Sequence, residues 1–225
     1  METRYTRRAD DLGWLSVRLT KGGGRAALCE YTEVAIVREA AGRTYFTIRD
    51  GYIAVGQEAS LSTANAASYL SKVGPGAAAK LVVTYTGVPV EENSAFKGKL
   101  TQQWARLAFN GQTATVTLNS VWDQAFTPIP PGTHAILTPD YSHAKTSTAG
   151  YAQATPGMVG NDVWFPIGLN ASGVNSTRYV HVGHLSDGCV TVHELGRWTA
   201  LYTYLISHRV AGTSGKRIGS LVVHK

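Results

Sequence analysis

Residues 100–118 narrow the possible folds of this chain more than any other stretch. Leu100-Thr-Gln-Gln-Trp-Ala-Arg-Leu-Ala-Phe109 and Gln112-Thr-Ala-Thr-Val-Thr-Leu118 flank Asn110-Gly111. A two-residue turn with positive φ at both central positions selects Asn-Gly, and its twist suits two antiparallel strands. A sheet therefore begins or continues here. Similar short runs of β-branched and aromatic residues recur at 26–31, 33–38, 43–48, 52–55, 81–85 and 218–223, with turn signals at Ala41-Gly42 and Asp50-Gly51. Two helices are expected. One lies within 58–73, with Leu61, Ala64, Ala67, Ser68 and Leu70 on its face, Ser60 or Ser62 as cap and Gly74-Pro-Gly76 as stop. The other lies at 194–206, where Leu195, Trp198, Leu201, Leu205 and Ile206 form a stripe. The class is mainly β, a β-rich α+β chain.

With 225 residues the chain can bury a sizeable core. The polar segment 90–98 divides it into an N-terminal β-rich module, residues 1–95, and a second part, 96–225. Lys21-Gly-Gly-Gly24 lacks the Gly-Lys-Ser/Thr context of a phosphate loop and reads as a joint. The long polar stretch 138–161 reads as a lid or substrate rim. A net charge of +6 suits an anionic partner such as nucleic acid, a lipid surface or a cell-wall polymer. The basic residues are scattered rather than striped with aromatics, which argues against dedicated nucleic-acid binding. No segment has the length and apolarity of a membrane span. Arg7-Arg8 is followed by Ala-Asp-Asp and no apolar region, so no signal peptide is visible. Such a chain is expected to be made in the cytoplasm and either to stay there, to be a mature form, or to leave by a machine that needs no cleaved signal.

Chemistry is densest in Tyr179-Val-His-Val-Gly-His-Leu-Ser-Asp-Gly-Cys-Val-Thr-Val192. A cysteine attacks carbonyls as its thiolate and needs a nearby base, for which His181 and His184 qualify. Strand alternation puts Tyr179 and His181 on one face and Val180 and Val182 on the other. Ser186-Asp187-Gly188 reads as a turn, and the amides of Gly188 and Cys189 could serve a developing oxyanion. Two plainer readings compete: a buried cysteine as a small apolar filler, and a zinc site from His181, His184, Cys189 and His193. Trp164 and Phe165 read as core or as a cleft wall, and Cys29 as a core residue.

Val180-His-Val-Gly followed by Leu185-Ser-Asp-Gly-Cys-Val resembles the His-Gly and Ser-x-Gly-Cys signature of the L,D-transpeptidase (YkuD-type) catalytic domain. Thr127-Pro-Ile-Pro-Pro-Gly-Thr-His-Ala-Ile136 is similar to the strand that precedes the active site in that family, and the resemblance spans residues 99 to 225. The short His-to-Cys segment resembles the L,D-transpeptidase-like effectors of type VI secretion. The resemblance implies a YkuD-like β-sandwich with a helix following the cysteine. It makes Cys189 the nucleophile, His181 the base and Gly188 part of the oxyanion site, with no cofactor needed. Val182, His184, Ser186, Asp187, Tyr179 and Trp164 would orient the site or hold substrate. The implied substrate is a peptidoglycan stem peptide, cut or joined as L,D-transpeptidase, L,D-carboxypeptidase or D-amino acid exchange enzyme. An effector of this kind would act in the periplasm of a target bacterium and have a cognate immunity protein. Asp187 stands where many members carry His, and Thr191 where Arg or Asn is usual, so Arg178 or Arg197 would have to hold the substrate carboxylate. A non-catalytic cell-wall or protein-binding module on the same fold is the alternative.

Overall fold

Two sheets divide the chain in the computed structural model, which describes residues 2–94, 98–120, 129–143 and 148–225. The first comprises β1 (Thr3–Thr6), β2 (Trp14–Leu19), β3 (Arg25–Cys29), β4 (Glu33–Ala40), β5 (Arg43–Ile48), β6 (Glu58–Ser62) and β7 (Leu70–Ser71), in the order β3-β2-β6-β5-β4-β1-β7. Alternation drives it: β5 buries Thr44, Phe46 and Ile48 and turns Arg43, Tyr45 and Thr47 outward. With Leu15, Val17, Leu28, Val34, Ala59 and Leu61, the Phe46 and Ile48 side chains make a core of their own.

The helix expected within 58–73 is shorter than its pattern suggested. Glu58–Ser62 pairs with both β5 and β2, so only α1 (Thr63–Tyr69) is helical. Ser62 caps it, accepting the Asn65 N–H at 3.2 Å. The strand expected at 52–55 does not form. Positive φ at Gly51, Ala54 and Gly56 curls the backbone there into turns. Strands β1 and β2 lie outside the runs singled out from sequence.

The second sheet closes on itself. It contains β8 (Ala79–Ser94), β9 (Gly98–Phe109), β10 (Gln112–Ser120), β11 (Gly132–Leu137), β12 (Phe165–Gly168), β13 (Arg178–Val182), β14 (Val190–Val192) and β15 (Arg217–His224). The order is β10-β14-β13-β12-β11-β15-β8-β9, an eight-stranded barrel rather than two stacked layers. The Asn110-Gly111 hairpin forms with φ of 43° and 71°. The sheets part between β7 and β8, well before residue 95. Val90 and Asn93 continue the β8–β9 ladder opposite Gln102 and Lys99, so the described residues of the expected polar divider, 90–94 and 98, are barrel strand. Of the upstream 127–136 motif, Thr127 and Pro128 lie outside the described residues, and Gly132–Leu137 is β11.

Leu81, Val83, Leu107, Val116, Leu118, Ile136, Phe165 and Ile167 are buried in one core with Val180, Val182, Val190 and Val192. An eight-stranded barrel is just wide enough for its inward side chains to fill, so the chemistry of these strands falls on the outer surface. The stretch 138–161 contains α2 (Ala149–Ala154). Its described parts are pinned to Asp162, with the His143 N–H on the Asp162 carbonyl at 3.1 Å and Thr148 Oγ1 on Asp162 Oδ1 at 2.9 Å. Helix α3 (Trp198–Ile206) packs Trp198 and Tyr202 against Phe165, with ring centroids 6.3 Å and 6.2 Å away.

Tyr202 also joins the two sheets, donating its hydroxyl to Glu30 Oε1 at 2.8 Å, while Arg209 Nη2 donates to the Glu30 carbonyl at 2.9 Å. Gly160 is required beside it: with φ of +71°, a Cβ there would stand 2.4 Å from the Tyr202 ring. Tyr202→Phe leaves the ring in place but removes the donor from a buried carboxylate. It should cost about 1–3 kcal/mol, read as a lowered urea midpoint at unchanged m.

Candidate functional site

The site is built by one parallel pairing. Strands β13 and β14 align as Val180↔Val190, His181↔Thr191 and Val182↔Val192. The four valines face the core. The alternate positions, Tyr179 and His181 on one strand and Cys189 and Thr191 at the start of the other, share the outer face. Continued by one residue, that register sets Cys189 beside Tyr179, whose backbone hydrogen-bonds the cysteine, while Thr191 stands directly opposite His181.

His181 is buried at 8% exposure. Its Nδ1 lies 2.9 Å from the Val182 carbonyl, and its Nε2 lies 3.2 Å from Thr191 Oγ1. A carbonyl only accepts, so Nδ1 carries the proton and Nε2 presents its lone pair to the Thr191 hydroxyl. Burial, above all, lowers the imidazole to about 4; the Val182 hydrogen bond opposes this and the nearby His143 adds to it. The ring is therefore neutral at pH 7.

Trp164 lies over His181, centroids 4.1 Å apart and planes at 15°, and His143 also stacks on the indole at 4.3 Å and 8°. Tyr141 continues the stack at 4.3 Å from His143. Tyr179 meets both His143 and Trp164 edge-on, and its hydroxyl accepts from Asn175, which also donates to Asp140. Trp164 is thus packed directly on His181. His143 is a member that sequence reading missed, because its only signal was one histidine in a long polar stretch.

Cys189 is free and partly exposed. Burial pushes its thiol up to about 11; a hydrogen bond with the Tyr179 backbone and the charge of Arg178 favour the thiolate, and Asp187 opposes it. Helix α3 gives no help, because β14 follows the cysteine and the helix starts only at Trp198. The Gly188 N–H is also committed, donating to Ser186 Oγ at 3.2 Å. Ser186 Oγ donates in turn to the Cys189 carbonyl at 2.7 Å, and the Ser186 N–H donates to Gln102 Oε1 at 2.9 Å. Gln102, drawn from β9, is the second member that sequence reading missed; nothing in its own strand pattern ties it to a loop more than eighty residues away. Of the two arginines considered for a carboxylate, Arg178 acts on Cys189, whereas Arg197 pairs with Glu194 at 3.2 Å on the surface.

His184 is exposed and belongs to a separate group. Its ring lies 4.9 Å from His193 and 5.0 Å from Tyr151, and His193 Nε2 is 3.0 Å from Glu92 Oε1. His181 and Cys189 are not part of it, so the four zinc ligands considered from sequence do not converge. Among the described residues no group of three or more His, Cys, Asp or Glu side chains is placed to hold a metal ion. No helix of the described residues is long and apolar enough to cross a membrane. Cys29 is buried against Thr32, and burial raises its thiol.

No family model matches this sequence, no curated protein matches it, and no solved structure matches its fold.

Because His181 titrates near 4 when folded and near 6.5 when unfolded, the unfolded chain binds the extra proton between those values. The stability contributed by the neutral ring is complete above pH 6.5 and is lost as pH falls towards 4. Its full size is about 3 kcal/mol. Urea titrations from pH 7 to 4 should show wild type losing more stability than His181→Asn over that window.

Proposed function

We propose that the protein is a cysteine acyltransferase acting on peptidoglycan stem peptides, an L,D-transpeptidase-like enzyme. The observation that carries this reading is the tautomer of His181: with Nδ1–H fixed on the Val182 carbonyl, the Nε2 lone pair lies on the outer face that carries Cys189. That is the state a general base needs. Catalytic hydrogen bonds are often loose before substrate arrives, so the resting contact of Nε2 with Thr191 is compatible with a base that turns to the thiol on binding.

In the reaction His181 Nε2 takes the Cys189 proton as sulfur attacks the carbonyl of the diamino acid at position three. The terminal D-residue leaves with a proton returned by the imidazolium, and a thioester remains. An amine, water or a free D-amino acid then attacks the thioester, giving transpeptidation, hydrolysis or exchange. Arg178, whose charge already acts on Cys189, binds the substrate carboxylate. The resemblance to type VI secretion effectors adds delivery to a target periplasm and a cognate immunity protein.

A second reading, a non-catalytic cell-wall or protein-binding module, is favoured by the thiol's rise to about 11 and by Thr191 occupying Nε2. Intact-mass spectrometry with stem tetrapeptides separates the two. The acyltransfer reading expects a transient adduct on wild type, absent in Cys189→Ala, with loss or replacement of the terminal D-residue. Absence of adduct and product from folded wild type across a panel of stem peptides would overturn the acyltransfer reading in favour of the binding module. For the enzyme, Arg178→Gln should raise KM for carboxylate-ended peptides about 10–100-fold, the worth of a hydrogen bond to a charged group, with a smaller effect on kcat.

A further inference from the structure

The segment that carries Cys189 is held by one side chain from another strand. Gln102 is fully buried. Its Oε1 takes the Ser186 N–H, and Ser186 Oγ bridges the Gly188 N–H and the Cys189 carbonyl. The carboxamide is therefore tied into the same hydrogen-bonded ring as the cysteine backbone. Its other half is not used: Gln102 Nε2 has no hydrogen-bond partner among the described residues. A primary amide carries two N–H donors, and a buried donor left without a partner in a native fold calls for an explanation such as a catalytic role.

Acyl transfer at Cys189 requires a donor where the carbonyl oxygen becomes negative, and side-chain amides can serve as such donors. The Gly188 N–H is already spent within the ring. We infer that the Gln102 amide is the side-chain donor to the acyl oxygen at Cys189, orienting itself through Ser186 by its oxygen and binding the oxyanion by its NH2. This rests on the thiol acyl-transfer reading, though not on its substrate. As the S–C bond forms, the thiol proton passes to His181 Nε2 and the carbonyl π pair moves onto the oxygen, where the Gln102 N–H stabilises it. When that pair returns, the leaving group departs with the proton from His181.

The test uses two reactions of Cys189 in the full chain. p-Nitrophenyl acetate acylates a thiol through an oxyanion; iodoacetamide alkylates it at a saturated carbon without one. Gln102→Glu keeps an oxygen for the Ser186 N–H but has no NH2, and Gln102→Leu loses both. With Cys189→Ala as blank, Gln102→Glu should be acylated about 100-fold more slowly or worse, while alkylation stays within a few-fold of wild type. An unchanged ratio of acylation to alkylation would overturn the inference, as would a parallel loss of both in a folded Gln102→Glu protein, which marks a packing role. Should Gln102→Leu fail to fold, Gln102→Glu alone decides. A Gln102 effect on p-nitrophenyl acetate without any turnover of stem peptides would sink the peptidoglycan reading and leave this one standing; a wild-type Cys189 that p-nitrophenyl acetate does not acylate would sink both.

Discussion

The parallel pairing of β13 with β14 sets the register on which the site is built. Burying Val180, Val182, Val190 and Val192 fixes the register, because a slip of one residue would turn all of them out of the core. The same register brings Thr191 opposite His181 and sets Cys189 one step away on the outer face. Packing inside the barrel thus decides the geometry outside it. The short connection between the strands closes on itself through Ser186, with Gln102 anchoring it from β9.

Electrostatics in this enclosure favour neutral partners. Desolvation lowers the His181 imidazole to about 4 and raises the Cys189 thiol to about 11. A charged thiolate–imidazolium pair would need compensation for leaving water that the resting site does not provide. Thr191 instead satisfies the imidazole lone pair, and the indole of Trp164 lies flat on the ring and stacks with His143 as well. In an acyl-transfer enzyme, substrate arrival is then the step that must reorganise the pair. Arg178 and the acyl-oxygen donor would have the work of favouring the thiolate and the tetrahedral intermediate.

The N-terminal sheet has its own core but is tied to the barrel. Trp14 and Cys29 join the barrel's core, and Glu30 receives bonds from Tyr202 and Arg209 on either side of the end of α3. Since α3 also packs against Phe165, at the start of the strand beside β13, the junction and the site lean on one helix. Arg209 is itself almost fully buried, with its guanidinium spread over the carbonyls of Ile206, His208 and Glu30, so its hold on this junction runs through backbone acceptors rather than an ion pair.

Local features were legible in the sequence. Asn110-Gly111 specified its hairpin through positive φ, alternation specified most strands, and the Val182 carbonyl beside His181 needed only adjacency in the chain. That Cys189 and His181 belong to adjacent strands was likewise legible, since both lie within one short segment. The folded chain alone supplied the pairings that no spacing encodes: closure of the barrel, Thr191 rather than Cys189 opposite His181, the stack of Tyr141, His143 and Trp164, and Gln102 bonded to Ser186. Each joins residues from different strands or loops, and their register follows from which side chains fill a common core, a property of the whole fold and not of any window of sequence.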